Sequence, residues 1–331
     1  MRALTYAAFG GPLSVTDVPD PVAPPGGAVV RVEASGLCRS DWHGWLGHDT
    51  DIVGFPHIPG HEFAGSVESV GDGVDRGWVG RRVTAPFVFA CGACPVCRVG
   101  DGQVCPHQRQ PGFSDPGSFA ERVVVHAAAT NLVALPDDVT TAQAAGLGCR
   151  VATAYRAVTV RADVQAGESV VVLGCGGVGL SAVAAAVARG ADVIAVDLSA
   201  DSLAAATALG ARHGLLQGDD LPERVHDLTG GGAHVSIDAL GSPALARELL
   251  QEVRRVTAQP VRHVILTHYH ADHAWGYLGS HAWGQRVRRR SRAGRGSGSL
   301  SLGGIGPHQE RDPAQRPRGV DRPQWTSPTR W

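Results

Sequence analysis

The sequence predicts an α/β protein with two domains, an N-terminal antiparallel β-barrel and a C-terminal doubly wound parallel sheet. Short runs of β-forming residues separated by Gly and Pro turns fill residues 1–150, which is typical of antiparallel strands. From Glu168 onward, apolar strands alternate with Ala-rich helical segments, which predicts parallel strands joined by helices. With 331 residues, 44 Gly and 21 Pro, the chain can form both domains.

The first domain is expected to span residues 1–150. Its predicted strands lie in the runs AVVRVEASG, GSVESVGDGV, RRVTAPFVF and SFAERVVVHAAATNLVALP. The composition then changes in the Ala-rich stretch TTAQAAGLGCRVATAYRAV, for which a helix is predicted.

The second domain is expected to span residues 151–267. SVVVLG, DVIAVD and HVSIDALG are predicted strands, and GGVGLSAVAAAVARG and SADSLAAATALG are predicted helices. After these, LARELLQEVRRV is amphipathic at helical spacing and VRHVILT has the pattern of a buried strand. We expect VRHVILT to lie parallel beside HVSIDAL as a further strand of the same sheet.

Residues 268–331 complete the chain, and from residue 285 onward eleven Arg stand against three acidic residues. A basic tail can bind nucleic acid, but no aromatic residue or helical period interrupts its Arg-rich run, so we expect disorder and no nucleic-acid partner. No stretch approaches the roughly 20 apolar residues of a membrane span, and no long apolar run follows the N-terminus. A cytoplasmic protein is the expectation.

Six of the seven Cys fall into two arrangements that suit a metal. The run CGACPVCRVGDGQVC has the pattern C-x2-C-x2-C-x7-C. Four thiolates so close in sequence suit a tetrahedral Zn²⁺ with no open coordination position, which is a structural zinc site. Two disulfides are the alternative, expected of a secreted protein. The ligands would be Cys91, Cys94, Cys97 and Cys105.

A Gly-rich loop between a predicted strand and a predicted helix has the pattern G-x-G-x-x-G, which is typical of dinucleotide binding. Its residues are Gly174, Cys175, Gly176, Gly177, Val178 and Gly179. Asp197 ends the next strand and is placed to accept the adenosine ribose hydroxyls and to repel a 2′-phosphate. The loop therefore predicts NAD rather than NADP. The alternative for Asp197 is a turn residue before a helix.

A second metal site is suggested by three separated segments. GLCRSDWHGW contains Cys38, PGHEFAG contains His61 and GLGCRVATAY contains Cys149. Two sulfurs and one imidazole nitrogen, with a fourth position open, form the ligand set of a catalytic Zn²⁺.

Together these motifs, in this order over residues 1–245, resemble the zinc-dependent alcohol dehydrogenases of the medium-chain dehydrogenase/reductase family. The resemblance implies a chaperonin-10-like barrel followed by a Rossmann domain, two zinc ions per chain, NAD, a small alcohol or aldehyde substrate, and a homo-oligomer. In this chain the Rossmann domain is expected to be incomplete, because the dehydrogenase pattern stops after Ala244.

The resemblance also implies roles for individual residues. Cys38, His61 and Cys149 would hold the catalytic zinc, with the Glu62 carboxylate adjacent. Asp41 would fix the geometry of the ligands. Ser40 and His43 would form the proton path. Arg39 would contact the pyrophosphate, and Thr153 would contact the nicotinamide.

Residues 245–283 resemble a fragment of the metallo-β-lactamase superfamily. The segment VRHVILTHYHADH contains the pattern H-x-H-x-D-H, formed by His268, His270, Asp272 and His273. Further ligands of that family would lie downstream, where only His281 and His308 occur. A gene fusion or a shifted reading frame is the expected origin of the join.

Hydride transfer between an alcohol and NAD, to give an aldehyde or ketone, is therefore the predicted reaction. Three alternatives stay open at the level of sequence: a non-catalytic zinc- and NAD-binding remnant, a metal-dependent hydrolase at residues 268–273, and nucleic-acid binding by the Arg-rich tail.

Overall fold

The computed structural model describes residues 1–239 and the backbone of Ile265–Leu266. The first part is built on antiparallel strands. These are β1 (Arg2–Thr5), β2 (Ser14–Asp17), β3 (Ala28–Gly36), β4 (Glu62–Val70), β5 (Arg82–Thr84), β6 (Arg122–Val125) and β7 (Val133–Ala134). Strands β3 to β7 form one sheet in the order β6-β3-β4-β5-β7, and β1 pairs with β2.

This sheet buries one of its faces. In β6, Val123 and Val125 are buried while Arg122 and Val124 are partly exposed, as expected for a strand with one face on the core. The buried faces pack around Phe63 and Phe89. Short helices and turns connect the strands: α1 (Arg39–Trp45), α2 (Pro95–Arg98), α3 (Ala128–Asn131) and the 3₁₀ turns Arg76–Trp78 and Gly102–Val104.

A continuous helical region follows and leads to the second sheet. It contains α4 (Thr141–Ala145), the π-helical turn Leu147–Val151, α5 (Ala152–Arg156) and the π-helical turn Ala157–Arg161. It begins with a capping box in which Thr140 and Gln143 bond each other's backbone N–H, a strong helix start. The predicted Ala-rich helix is confirmed, but the π turns were not foreseen. Such turns are rare and frequently occur at functional sites.

The second part is a parallel sheet with connecting helices. Its strands are β8 (Ser169–Leu173), β9 (Asp192–Asp197), β10 (His213–Leu216), β11 (Val235–Asp238) and β12 (Ile265–Leu266), and its helices are α6 (Gly177–Ala188), α7 (Ala200–Ala208) and α8 (Leu221–Thr229). Strands β8 and β9 are almost wholly apolar and buried, which is the composition of a strand covered on both faces.

The strand order is β10-β9-β8-β11-β12, with every pairing parallel. From β8 the chain proceeds to one side through β9 and β10, and then to the other side through β11. This reversal creates a crevice beyond the carboxyl end of β8, the place where open α/β sheets bind their ligands.

The predicted fold class is confirmed: an antiparallel sheet domain is followed by a doubly wound parallel sheet. The expected strand VRHVILT is represented by Ile265–Leu266, which pairs in parallel with Ile237–Asp238. The edge strand β10 and helix α8 were not predicted. The expectations for His268, His270, Asp272 and His273, and for the tail, concern residues that lie outside the described part of the chain.

Candidate functional site

The four cysteines of the predicted structural site converge on one point. Their sulfur atoms all lie within 4.8 Å of one another, with Cys94 at 3.4 Å from Cys97 and 3.8 Å from Cys105, and Cys91 at 3.9 Å from Cys97. Four ligands about 2.3 Å from a tetrahedral Zn²⁺ would stand about 3.8 Å apart. These are free thiols and not disulfides, because a disulfide requires about 2.05 Å between sulfurs.

Backbone N–H groups and burial shift the pKa values of the thiols in this four-cysteine cluster. Backbone N–H groups of Ala93 and Cys94 lower the pKa of the Cys91 thiol to about 6, while burial raises the pKa of Cys97 to about 12. Further donors reach Cys105, whose sulfur accepts from the N–H of Cys91 and of His107. Several thiolates this close repel one another unless a metal neutralises them, so the donor set fits Zn²⁺.

The second cluster is assembled from three distant segments. Cys38, His61, Glu62 and Cys149 each offer a ligand atom, and these atoms lie within 4.8 Å of one another. Cys38 is the N-cap of α1, His61 and Glu62 stand at the start of β4, and Cys149 lies in the π-helical turn. His61 and Glu62 are fully buried, so the fold holds this cluster within the protein.

Asp41 fixes the orientation of two members of this cluster. One carboxylate oxygen, Oδ2, accepts from the backbone N–H of Cys38 at 2.9 Å, which forms part of the capping box of α1. The other, Oδ1, accepts from the Nδ1–H of His61 at 2.9 Å and from the N–H of Gly60 at 3.2 Å. A carboxylate on the far nitrogen of a histidine fixes the tautomer and ring direction that metal ligation needs.

The Nε2 atom of His61 provides the test for a metal. It is buried, and it has no hydrogen-bond partner within the described part of the chain. Buried polar atoms are nearly always paired, and this one faces the sulfurs of Cys38 and Cys149. An imidazole lone pair between two thiols is the donor set of a zinc site with an open fourth position, so these residues fit the ion that the sequence implies.

The ionisable groups of this cluster shift one another's pKa values. The thiol of Cys149 and the imidazole of His61, both beside the Cys38 sulfur, lower the pKa of the Cys38 thiol to about 3. Burial lowers the pKa of His61, but the hydrogen bond to Asp41 and the nearby charge of the Cys38 thiolate outweigh it and raise that pKa to about 10. Hydrogen bonding to Cys38, together with burial, raises the pKa of Cys149. A thiolate beside a protonated imidazole is the state that a bound cation would replace by displacing protons.

Glu62 is paired with an arginine that sequence reasoning missed. Nε and the backbone N–H of Arg150 each donate to Oε1 of Glu62 at 3.1 Å, and Nη2 donates to Oε2 at 2.6 Å. Arg150 directly follows Cys149. No motif marked it, because the contact joins positions 88 residues apart in the chain.

The residues predicted for the proton path lie on α1. The Ser40 hydroxyl stands 3.8 Å from the Cys38 sulfur. His43 has its Nδ1 at 3.0 Å from Nδ1 of His48, and the Trp42 ring packs edge-on against His43. His48 matches no motif in the sequence. Its pairing with His43 is therefore a second contact that sequence reasoning missed.

The Gly-rich loop has the geometry of a phosphate cradle at the crevice beyond β8. Gly174 has φ +86°, which favours glycine. A Cβ on Gly179 would stand 1.7 Å from the carbonyl oxygen of Gly174, so only glycine allows this close approach. A Cβ on Gly176 would meet nothing within 4 Å, which leaves space outside the N-terminus of α6 for an anion.

Asp197 stands beside this loop. Its Oδ2 accepts from the backbone N–H of Cys175 at 2.6 Å and its Oδ1 from that of Ser199 at 2.9 Å. The side chain is half-buried. The carboxylate thus borders the nucleotide loop and forms the turn before α7, and its contact with the adenosine ribose stays a prediction.

Arg39 and Thr153 are the two further residues predicted to contact the dinucleotide. The guanidinium of Arg39 lies over the Trp42 ring, 5.8 Å from its centroid, and it makes no hydrogen bond to the Gly-rich loop within residues 1–239. Thr153 is half-buried on α5. Their expected contacts with the pyrophosphate and the nicotinamide remain predictions.

Within the described part of the chain, none of the helices combines the length and the apolar character of a membrane span.

Comparison with known proteins matches both parts of the chain. Residues 24–137 match the alcohol dehydrogenase GroES-like domain, and residues 177–256 match the zinc-binding dehydrogenase family. The second match includes residues 245–256, so the expectation that these residues belong to a metallo-β-lactamase-like fragment is not supported.

Individual relatives agree. An alcohol dehydrogenase of Geobacillus stearothermophilus is 35% identical over 262 residues, which are 77% of this chain and 75% of the relative. The solved structure of an NAD-dependent alcohol dehydrogenase has a TM-score of 0.70 at 32% identity and covers 78% of this chain and 75% of its own. An alcohol dehydrogenase from Thermus sp. ATN1 has a TM-score of 0.70 at 29% identity, with 80% of both chains covered. The chain belongs to the zinc-binding alcohol dehydrogenase family.

Proposed function

We propose that this chain is a zinc- and NAD-dependent alcohol dehydrogenase that interconverts a primary or secondary alcohol and the corresponding aldehyde or ketone. The observation that carries the proposal is the buried, unpaired Nε2 of His61, which faces the thiols of Cys38 and Cys149. Together with the Gly-rich loop at the crevice of the parallel sheet, it supports a metal-assisted hydride transfer. Residues 1–150 would supply the metal sites, and residues 151–267 the dinucleotide site.

When bound, zinc supplies a Lewis acid for the alcohol oxygen and NAD supplies the acceptor of the hydride. Cys38, His61 and Cys149 would hold the catalytic ion, and Asp41 would keep His61 and the end of α1 in place. Cys91, Cys94, Cys97 and Cys105 would hold a second, structural ion.

The hydroxyl of Ser40 would accept the substrate proton, because it lies beside the sulfur of Cys38 at the start of α1. His43, one turn further along the same helix, would pass this proton on towards solvent. General acid–base groups of this kind typically contribute 10²–10⁴-fold in rate.

NAD would be held by the Gly-rich loop and by Asp197. The N–H groups at the start of α6 would face the pyrophosphate, and Arg39 and Thr153 would contact the pyrophosphate and the nicotinamide. The Asp197 carboxylate would accept the adenosine ribose hydroxyls and repel a 2′-phosphate, which favours NAD over NADP.

The direct test combines metal analysis with turnover of the full chain. We expect about two zinc ions per chain and NAD reduction with simple alcohols. Asp197→Gly should weaken NAD binding about 10- to 150-fold, the loss of a charge-assisted hydrogen-bond pair worth about 1.5–3 kcal/mol, and should relatively favour NADP. NAD binding without turnover would instead show a non-catalytic remnant, and tighter NADP than NAD binding by the unmutated chain would refute the role of Asp197.

A further inference from the structure

Arg150 pairs with Glu62 of the metal cluster and borders the Gly-rich loop. On one side it binds both carboxylate oxygens of Glu62. Its backbone N–H and two N–H groups of its guanidinium donate to them at 2.6–3.1 Å. Glu62 is fully buried. A buried carboxylate paired in this bidentate way has few lone pairs left for any other partner.

The backbone leaves room for this ion pair at one glycine. A Cβ added to Gly36 would stand 2.5 Å from Oε2 of Glu62 and 3.2 Å from Nη2 of Arg150. Contacts under 3.0 Å essentially never occur for a real Cβ, so a larger residue at position 36 would displace the pair. The end of β3 is thus shaped around the contact of Glu62 with Arg150.

On its other side, Arg150 borders the nucleotide loop. A Cβ on Gly177, the first residue of α6, would stand 2.5 Å from Cδ of Arg150 and 3.4 Å from its Nη1. Within residues 1–239, Nη1 donates no hydrogen bond, in contrast to Nε and Nη2. The guanidinium therefore presents a donor beside the helix N-terminus at which a pyrophosphate would bind.

We propose that Arg150 is a positioning residue that holds the Glu62 carboxylate away from the catalytic metal and makes its position depend on the dinucleotide. This inference rests on the proposed function. One carboxylate oxygen of Glu62 stands within 4.8 Å of the ligand atoms of Cys38, His61 and Cys149, so a released Glu62 can reach a bound metal. With Arg150 in place, the fourth coordination position stays open for substrate.

Dinucleotide binding is then coupled to the metal site through one side chain. A bound pyrophosphate would attract, through Nη1, the same guanidinium that Glu62 holds through Nη2 and Nε. Such a coupling is reciprocal. If dinucleotide binding changes the equilibrium between the free and the metal-bound Glu62 by some factor, then binding of Glu62 to the metal changes the dinucleotide affinity by the same factor.

The test uses the full chain loaded with Co²⁺, whose visible absorption loses intensity when the coordination number rises from four to five. Arg150→Gln is compared with Arg150→Lys, which keeps the charge but not the bidentate contact, and with Glu62→Gln. The spectrum of Cys149→Ser, which retains only the four-cysteine site, is subtracted from each. NAD dissociation constants are measured by fluorescence titration of the same samples.

For Arg150→Gln we expect a weaker Co²⁺ absorption, because Glu62 enters the coordination sphere, and a roughly tenfold weaker NAD affinity. Arg150→Lys should lie between this variant and the unmutated chain. In the double variant with Glu62→Gln, the absorption should recover while NAD affinity stays low.

A purely structural ion pair would behave differently. Arg150→Gln would then lower the melting temperature and leave both the Co²⁺ spectrum and the NAD dissociation constant unchanged, which would overturn the inference. Absence of turnover by the unmutated chain would contradict only the proposed function. The Co²⁺ spectra of the variants test the role of Arg150 independently, because they do not require turnover.

Discussion

The two metal clusters are built in different ways. The four-cysteine cluster takes all its ligands from residues 91–105, a single excursion held by the short helix α2 and by backbone N–H groups directed at sulfur. The other cluster takes its ligands from Cys38, His61 and Cys149, which come together only when α1, β4 and the π-helical turn are in place.

This difference separates the expected roles of the two ions. A metal bound by local ligands closes a small loop and contributes to folding of that lobe directly. A metal bound by three distant segments depends on a fold that already exists, and its buried ligands are held by Asp41 and by packing of the Phe113 ring at 5.2 Å from His61. The first site should therefore govern stability and the second should govern chemistry.

The largest expected effect follows from breaking the distant cluster. Cys149→Ser removes one of its two sulfurs, so the catalytic zinc should be lost and kcat/KM should fall about 10³-fold or more, since Lewis-acid stabilisation is worth several kcal/mol. The melting temperature should change little. Steady-state kinetics and calorimetry measure both quantities.

Cys175→Ser is the matched control, because this cysteine is also buried but lies in the nucleotide loop and outside both clusters. It should keep its metal and most of its activity. Full activity of Cys149→Ser would contradict the assignment of this cluster as the catalytic site.

Breaking the local cluster should give the opposite result. Cys94→Ser should cost about 4 kcal/mol or more in the free energy of unfolding, as loss of a structural metal does, while the ligands of the other site remain. Denaturant unfolding and limited proteolysis at residues 91–105 would report the change. Unaltered stability would show that the lobe folds without its ion.

Asp41→Asn tests the support of the distant cluster without removing a ligand. The amide keeps the size of the side chain but cannot accept from His61 and from the N–H of Cys38 as a carboxylate does. Metal affinity at this site should fall about 10- to 100-fold, with the four-cysteine site unaffected. Asp51→Asn, at an exposed position of the neighbouring loop, should leave both affinities unchanged, and a similar loss in both variants would remove the specific role of Asp41.

The smallest expected effect concerns Asp115, which belongs to neither cluster. Burial would raise the pKa of Asp115, but hydrogen bonds from His126 and Arg109 lower it to about 2. Because the folded-state value lies below the usual one, Asp115 stabilises the fold above about pH 4, and this contribution disappears as the pH falls towards 2.

Asp115→Asn should thus lower the free energy of unfolding by about 1 kcal/mol at neutral pH, and the difference from the unmutated chain should shrink in acid. Unfolding curves recorded between pH 2 and 7 measure it. A difference that grows on acidification would contradict the sign of the pKa shift.

The sequence was most informative where structure depends on neighbours along the chain. Strand β3 has the bounds of the predicted run AVVRVEASG, the four cysteines converge as their spacing implied, and the glycines of the nucleotide loop have the conformations that the motif requires. In each case the signal and the structure lie within one short segment.

Contacts between distant segments were less accessible. The pairing of Arg150 with Glu62 and the approach of His48 to His43 depend on how helices and strands pack, which residue spacing does not encode. The short edge strand β10 lacks a fully buried face, so its pattern is weak. The π-helical turn that carries Cys149 differs from an α-helix only in hydrogen-bond register, for which Ala-rich sequence gives no sign.

The central claim is that this fold holds two independent zinc ions, one in each cluster. Zinc content per chain, measured by elemental analysis for the unmutated protein, Cys94→Ser and Cys149→Ser, tests it directly. The account predicts about two ions for the unmutated chain and about one for each variant, with turnover lost only in Cys149→Ser. One ion in the unmutated chain, unchanged by Cys94→Ser, would contradict it.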